Sequence, residues 1–306
     1  MRRSSERILT THAGSLPRPE NPDQPFVRRS RGEGIASDEI AAAGRAALRA
    51  IVPMQAETGI DVGNNGEQQR DSFFLYLKDR LTGLGGTWQR PSRADVDRYP
   101  EFKKRWIEQT SSKARVSPNE GLPMAIGDVR YIDPAAIEAE CGDFADVLKD
   151  NPDIFVESFM NAPSPGIVAA AIKNQHYDTE LKYLQALGEA LRIEYETIVR
   201  AGFVLQIDAP DLALERHISF QGQAAVGVYR IRRKCRRSDQ RRAQEHPTRP
   251  GAPPRLLGQF GIASRQRRAA RRIFCRPCSK RTSGPCIFPS PARATRTNFA
   301  ASRIYR

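Results

Sequence analysis

The sequence predicts an α/β fold of the (β/α)8 TIM-barrel type, on three observations. Amphipathic helical patterns alternate with short apolar runs, which is typical of a parallel sheet covered by helices. A polar loop follows each apolar run. No glycine-rich dinucleotide fingerprint follows the first run, which favours a barrel over the alternative, an open doubly wound sheet. About five strands are recognisable, so we predict an incomplete barrel over residues 1–220.

The first βα repeat lies near the start of the sequence. Residues 7–11 form an extended run, and Gly14 and the prolines of HAGSLPRP stop any helix after it. A helical pattern covers residues 38–57 and Gly59 ends it. Residues 60–62 then form a short strand before the polar segment GNNGEQQR. Strand, loop, helix and strand follow one another as the barrel requires.

The same pattern recurs along the rest of the body. The clearest helix carries its apolar side chains at spacings of three and four along one face. The predicted elements are, in order, a helix over 68–81, a strand over 123–129, a helix after Asp133 and Pro134, a strand and loop over 153–166, the clearest helix over 179–201 and a strand over 203–208.

Polar side chains lie close to the ends of the predicted strands. They are His12, Glu67, Asp128, Glu157 and Asp208. In a barrel the carboxyl ends of the strands meet at one face, where catalytic groups gather. We therefore expect a functional site at that face.

Charge is divided unevenly between this body and the tail that follows it. The whole chain has a net charge of +14, but residues 1–220 are mildly acidic, with 27 basic and 33 acidic side chains. Residues 221–306 hold 20 Arg and 2 Lys against only Asp239 and Glu245. Their arginine runs, interleaved with Pro and Ser, predict an irregular basic tail. Such a tail can bind nucleic acid nonspecifically, so a basic nucleic-acid-binding protein is the alternative of another class.

Several segments together resemble the catalytic barrel of the cobalamin-independent methionine synthase family, above all its short single-barrel members. Five segments in the right order at plausible spacing are fairly specific, and the resemblance covers roughly residues 7–220. The segments are THAGSLPRP (11–19), GIDVGNNGEQQRDSF (59–73), AIGDV (125–129), SPG (164–166) and AGFVLQIDAPDLA (201–213).

The resemblance implies transfer of a methyl group to a small-molecule thiol, homocysteine, held as a zinc thiolate. Zinc lowers the pKa of a thiol, so that a nucleophilic sulfur exists near neutral pH. The family residues that bind the amino-acid end of homocysteine match Gly14, Ser15 and Glu67 here, and the Asp of the QID motif matches Asp208. Carboxylates suit that position because an α-amino group is a cation. His12, in the same first loop, is included among the candidate binding residues.

Each candidate also has a purely structural interpretation. Ser15 can cap the turn before the following proline, and Glu67 can be a first-turn helix acid favoured by the helix dipole. Asp208 can cap the start of the next helix. His12 can be a structural histidine with its hydrogen bonds satisfied. These alternatives stay open on the sequence alone.

The sequence departs from the family at the site of the methyl donor. The family's QIDEP is QIDAP here, with Ala209 in place of the acid. The tryptophan expected to stack on the folate ring has no counterpart between Gly166 and Tyr177. The resemblance therefore does not carry a methyl-folate donor over to this chain. An alkyltransferase acting on another thiol, such as coenzyme M, is the alternative within the family.

The tail lacks the last strands and the His-x-Cys zinc motif that the family should supply. Cys275 and Cys278 form CRPC, but no second Cys/His pair follows at zinc spacing. The codons of residues 253–260, PPRLLGQF, permit LHACWGNF when read one base later, and that text contains His-x-Cys. We therefore interpret residues 221–306 as frameshifted. We expect the chain as written to bind no zinc in the family manner and to be inactive.

The sequence also bears on location. No apolar run approaches the roughly 20 residues that a membrane-spanning helix needs. The first residues carry positive charge but no apolar core of a signal peptide. The sequence therefore predicts a cytoplasmic protein with no membrane partner.

Overall fold

The protein is described by a computed structural model that covers residues 4–18, 25–30, 32–91, 94–111, 121–215, 218–219 and 256–257. Two compact units divide the chain, Met1–Gly261 and Ile262–Arg306. All described residues belong to the first unit. The predictions made for the tail, including its cysteines and its frameshift, lie outside the described residues except at 256–257.

Helices and short strands are the regular elements of the described part of the chain. The helices are α1 (Pro25–Ser30), α2 (Ser37–Glu57), α3 (Ala94–Asp97), α4 (Pro100–Ser111), α5 (Ala135–Asp150), α6 (Pro165–Ala171), α7 (Glu180–Arg200) and α8 (Asp211–Leu214), with a 3-10 helix at Leu75–Asp79. The strands are β1 (Val62–Gly63), β2 (Leu84–Trp88), β3 (Leu122–Ala125), β4 (Glu157–Pro163), β5 (Lys173–Asn174), β6 (Val204–Asp208) and β7 (Leu256–Leu257).

The main sheet is parallel and has the strand order β1, β4, β6, β7. The central pair, β4 and β6, is in register from Phe159 opposite Val204 to Pro163 opposite Asp208. Thr11 forms a single parallel bridge to β1, where a longer strand over 7–11 was predicted. These strands follow one another across the sheet in chain order, as in a (β/α)8 barrel.

A second sheet departs from the predicted barrel. β3, at the predicted strand 123–129, pairs with β2 in the antiparallel sense and with β5 in the parallel sense. β2, with the sequence LGGTW, thus occupies one edge of β3, and β3 is not in the main sheet. The α/β class is confirmed, but both sheets are open over the described residues and a complete barrel is not shown.

Helices α2, α5 and α7 cover the main sheet and form the core with it. Leu48, Phe144 and Leu187 are fully buried, one from each helix, and Phe144 stacks on Phe203 with ring centroids 5.0 Å apart. Burying such side chains is the main favourable term in folding. The core therefore fixes the strands whose ends carry the candidate residues.

The predicted helices 38–57 and 179–201 are confirmed. α7 begins where the Thr179 hydroxyl accepts from the Lys182 N–H at 3.2 Å, and its apolar stripe is buried. α2 ends before Gly59, whose φ of 84° lies in the left-handed region. None of the helices in the described ranges combines the length and apolar character of a membrane span.

The predicted helix 68–81 is wrong. Gly66 and Glu67, which directly precede this segment, have φ angles of 63° and 56° and lie in the left-handed region. The chain continues as turns, and only the 3-10 helix Leu75–Asp79 forms. This irregular stretch brings the polar side chains of GNNGEQQR back toward the end of the sheet.

Two residues of the tail, which is predicted to be irregular, are among the described residues. Leu256 and Leu257 form β7, which pairs in parallel with Leu205 and Gln206 of β6. The edge of a sheet presents unpaired backbone groups that another segment can pair with.

Candidate ligand-binding site

Three polar side chains meet at the carboxyl ends of the main-sheet strands. Asn161 lies in β4, Asp208 ends β6, and Glu67 lies in the turn after β1. Asn161 pairs in register with Gln206. Side chains alternate along a strand, so Asn161, Gln206 and Asp208 project from one face of the sheet. The parallel sheet itself therefore assembles the cluster.

The Asn161 amide joins the two carboxylates. Its Nδ2 donates to Oε1 of Glu67 and, at 3.0 Å, to Oδ2 of Asp208. Nε2 of Gln206 donates at 2.8 Å to the other oxygen of Asp208 and also to the carbonyl of Ala13. One nitrogen atom thus reaches both carboxylates, and a second ties Asp208 to the first loop.

Local hydrogen bonds hold Glu67 in its left-handed conformation. Oδ1 of Asn64 accepts from the Gly66 N–H at 2.7 Å, and Oδ1 of Asn65 accepts from the Glu67 N–H at 3.1 Å. Arg18 donates to the Glu67 carbonyl at 2.9 Å. Left-handed backbone at a non-glycine residue is costly and is concentrated at functional sites. The interpretation of Glu67 as a first-turn helix acid is therefore wrong.

The first loop passes against this cluster at Gly14. Gly14 has a φ of 147°, which side chains rarely adopt. A Cβ atom there would lie 2.7 Å from Nδ2 of Asn161 and 3.1 Å from Oε1 of Glu67. Glycine is required here by both the backbone angle and the close approach.

Burial raises the pKa of both carboxyl groups. Glu67 is 2% exposed, and the rise caused by burial is opposed by the positive charge of Arg70. The pKa of Asp208 is raised to about 6, first by burial and further by the charge of Glu67, although the amides of Asn161 and Gln206 oppose the rise. A cation bound between these groups would stabilise both in their ionised form.

A buried network of ion pairs lies between β4, which carries Asn161, and the helices α5 and α7. Arg70 Nη1 donates to the carbonyl of Asn161 at 2.8 Å, and its Nε donates to Glu140 of α5 at 2.9 Å. Arg80 bonds the second oxygen of Glu140, and its Nη1 lies 3.4 Å from Glu194 of α7. The strand that carries Asn161 is therefore fixed to the helices behind it.

The other candidates of the first loop lie close by but differ in their contacts. Nδ1 of His12 accepts from the Gly14 N–H at 3.2 Å, and its Nε2 lies 2.8 Å from Oε1 of Gln55. Burial lowers the pKa of His12, so both ring nitrogens bond protein groups in the neutral form. Ser15 is exposed next to Gly14, and no hydrogen bond between described residues joins its side chain to the carboxylates.

Two of the strand-end carboxylates do not join this site. Asp128 is exposed outside the main sheet, where it lies 3.1 Å from Nε2 of His176 and 3.2 Å from Arg130. Glu157 is the first residue of β4, because residues 153–156 form turns before the strand begins. Glu157 therefore lies at the opposite end of the sheet from Asp208, and the expectation that all five polar residues gather at one face is wrong.

The described residues do not fit a zinc thiolate site. Over the described ranges, no three His, Cys, Asp or Glu side chains are grouped so that they could hold a metal ion. Cys141 is the one cysteine within them, and it is buried in α5 with its Sγ 3.5 Å from Sδ of Met160. Burial raises the pKa of its thiol to about 12. Such a thiol is inert rather than nucleophilic.

Sequence reasoning missed Asn161 and the role of Gln206. Asn161 is a polar residue inside an apolar strand, which was the available signal, and Gln206 lies within the QID motif. The partners of Asn161 are 94 and 47 residues away along the chain. Only the register of the parallel strands shows that these residues meet.

Comparisons with known proteins agree with the motifs over part of the chain. No family model matches it. Over 162 residues it is 26% identical to the 5-methyltetrahydropteroyltriglutamate–homocysteine methyltransferase of Lactiplantibacillus plantarum, an alignment covering 53% of this chain and 18% of that protein. A protein from Listeria monocytogenes described as a vitamin-B12-independent methionine synthase superposes with a TM-score of 0.51 at 14% identity, covering 79% of this chain and 64% of that one. The B12-independent methionine synthase from Shewanella sp. W3-18-1 in complex with selenomethionine gives a TM-score of 0.47 at 20% identity, covering 66% and 52%.

These similarities cover only part of each known protein. The chain spans about a fifth of the length of the curated relative and less than two thirds of either solved structure. The similarity to the Listeria protein shows a shared fold. Over part of its length the chain is therefore similar in sequence to a cobalamin-independent methionine synthase, and it shares the fold of a second protein of that description.

Proposed function

We propose that this chain carries the amino-acid-binding part of a thiol S-methyltransferase of the methionine synthase type, and that it binds a homocysteine-like thiol through the ammonium group. One observation carries the proposal: Nδ2 of Asn161 donates to both Glu67 and Asp208. An ammonium nitrogen next to this amide would meet the same two carboxylates with a full positive charge. Charge-assisted hydrogen bonds of this kind are about twice as strong as neutral ones.

The neighbouring first loop suits the carboxylate of the same ligand. Ser15 is exposed beside Gly14, so its hydroxyl is accessible from solvent at the edge of the cluster. Gly14 itself allows the loop backbone to approach the carboxylates closely. An amino acid bound between the loop and the sheet would then have each charged end next to a suitable group.

Methyl transfer needs a nucleophilic sulfur in addition to this binding site. The sulfur forms a new bond to the methyl carbon while the donor's bond to that carbon breaks. The family resemblance implies a zinc thiolate for that sulfur, but the described residues do not fit zinc. The proposal therefore concerns binding of the acceptor. Because the His-x-Cys motif is absent as written, we expect the chain to bind its ligand without turnover.

The carboxylate pair also discriminates between the two candidate acceptor thiols, homocysteine and coenzyme M. Homocysteine and its methylated product, methionine, carry an α-ammonium group. Coenzyme M carries a sulfonate and no amino group, and two buried carboxylates would repel it. The geometry therefore favours an amino-acid thiol. The methyl donor stays open, since Ala209 stands where the family has an acid.

Calorimetric titration tests this proposal on the full chain. L-methionine and L-homocysteine should bind, whereas coenzyme M and the desamino analogue of methionine should not. Glu67→Gln and Asp208→Asn should each weaken methionine binding about ten- to a hundredfold, because each replaces a charged acceptor of the ammonium group with a neutral amide. Glu157→Gln is the matched control, since this carboxylate lies at the other end of β4 and should leave binding unchanged.

The proposal fails if the desamino analogue binds as tightly as methionine, because the ammonium group would then contribute nothing. It also fails if Glu157→Gln weakens binding as much as the two site variants. Circular dichroism of each variant should show the wild-type fold, so that a loss of binding reports on the site.

A further inference from the structure

We propose that Asn161 is a positioning residue that holds Glu67 and Asp208 at the spacing of one ammonium group, and this inference rests on the proposed function. No motif of the sequence singled Asn161 out. It is 1% exposed and lies in the strand between β1 and β6, at the centre of the cluster. Its backbone carbonyl is fixed by Arg70 at 2.8 Å.

The orientation of the Asn161 amide supports this role. Its two N–H hydrogens are directed at the two carboxylates, whereas its Oδ1 is buried with no hydrogen-bond partner among the described residues. Leaving a buried acceptor unpaired is costly. In the opposite orientation Oδ1 would face two carboxylate oxygens. All three atoms are acceptors, so that orientation would be less stable. The bonds to the carboxylates therefore determine how this amide is placed.

The consequence for the carboxylates is electrostatic. Without the amide, two buried carboxyl groups would face each other with no shared donor, and one would keep its proton to a higher pH. The other charged groups that act on the pair are Arg18 from the first loop, Arg70 from the turn after β1, and Glu140 from α5. These remain when Asn161 is replaced. Asn161 thus sets the pH above which both carboxylates can receive an ammonium group.

The test is the pH dependence of methionine binding by the full chain. Asn161→Leu keeps the volume without the donor, and Asn161→Ala serves as a second variant in case leucine disturbs packing. We expect the midpoint of the pH dependence to move up by about one pH unit in either variant. Relative to wild type, affinity should then fall roughly fivefold at pH 6 but less than twofold at pH 7.5. Asn151→Ala is the control, because Nδ2 of Asn151 bonds the carbonyl of Val147 at the end of α5.

The outcomes distinguish this inference from the proposed function. If the wild type binds no methionine at any pH, the proposed function fails, and this inference fails with it. If the wild type binds but both Asn161 variants keep its midpoint, the proposed function stands and this inference is wrong. An equal loss of affinity at every pH would also overturn it, since that is what a loss of packing alone would cause.

Discussion

Glu67 combines two unfavourable features in one residue. Its backbone is left-handed at φ 56°, and its carboxylate is 2% exposed. Each costs stability unless the surroundings enforce it. The surroundings do so here, because Asn65 fixes its N–H and Asn161 bonds its carboxylate. Such strained, buried carboxylates are concentrated at binding sites, which agrees with the role that the motif implies.

Gly14→Ala should disturb the same site from the first loop, which packs against Asn161 and Glu67. The new methyl group would lie 2.7 Å from Nδ2 of Asn161, and the φ of 147° is unsuitable for alanine. We expect a loss of about 1–3 kcal/mol in the free energy of unfolding, measured by urea denaturation, and weaker methionine binding. The matched control is Gly142→Ala in α5, where nothing lies within 4 Å of the added Cβ. That change should stabilise the protein by about 0.5–1 kcal/mol. Equal stability of Gly14→Ala and wild type would contradict the close approach.

The titration of Asp208 gives a prediction with a definite sign. Its folded-state pKa of about 6 lies above its ordinary value of 3.8, so the folded state binds the proton more tightly than the unfolded state. Stability without ligand should therefore fall as pH rises from 4.5 to 7.5, by about 1–2 kcal/mol relative to Asp208→Asn. Methionine affinity should rise over the same range, because ionised Asp208 attracts the ammonium group. Denaturation and calorimetry at matched pH check the two trends, and a pH-independent difference between the proteins would refute the assignment.

The sequence predicts some residues of this site but not Asn161, because the contacts of Asn161 depend on how distant strands pair. Gly14, Glu67 and Asp208 follow strands and lie in recognisable motifs, so they could be named in advance. Asn161 has no motif, and its role depends on partners brought by parallel pairing across two crossover connections. The periodicity of apolar residues describes one segment at a time. It does not show how β4 aligns with β6.

At the level of the elements, the regular helices were predictable and the polar turn was not. α7 has a capping threonine and an apolar stripe, both local signals. The segment 68–81 has residues that favour a helix, but after the left-handed pair Gly66 and Glu67 it forms turns and the short 3-10 helix Leu75–Asp79. Buried Arg70 then takes its partners from α5 and β4. Tertiary hydrogen bonds decided this segment, and its own propensity did not.

Glu194→Gln tests the ion network that ties these elements together. Glu194 of α7 is fully buried, accepts from the hydroxyls of Tyr76 and Tyr131, and faces Arg80. Removing its charge leaves buried arginine without full compensation, so we expect a loss of about 3–5 kcal/mol. Glu189→Gln is the matched control on the same helix, because Glu189 pairs with Arg192 at the surface and should change stability by less than about 1 kcal/mol. Urea denaturation of both variants measures the difference. A small loss for Glu194→Gln would mean that the network is not stabilising.

At the scale of the whole molecule, the strand order and the open edges are the main features. Thr11, β1, β4, β6 and β7 follow one another in chain order, which agrees with the barrel that the sequence predicts. Closure is not shown over the described residues, because β3 pairs with β2 and β5 instead of joining the main sheet. The alternation of apolar runs indicates that strands exist, but not which of them become neighbours. The class was therefore predictable and the completeness of the barrel was not.

The uneven charge of the chain gives the last prediction. Residues 221–306 carry 22 basic and 2 acidic side chains, so the full chain should bind DNA through phosphate neutralisation, whatever the base sequence. Affinity should fall roughly a thousandfold or more between 50 and 200 mM salt if about six phosphates are contacted. Fluorescence anisotropy with two duplexes of equal length and different sequence measures both properties, and a variant lacking 221–306 is the control that should lose the binding. If the tail is a frameshifted polycation, we expect all binding to be lost at physiological salt. Sequence-selective binding that survives salt and disappears with the tail would instead establish residues 221–306 as a nucleic-acid-binding module and refute the frameshift interpretation.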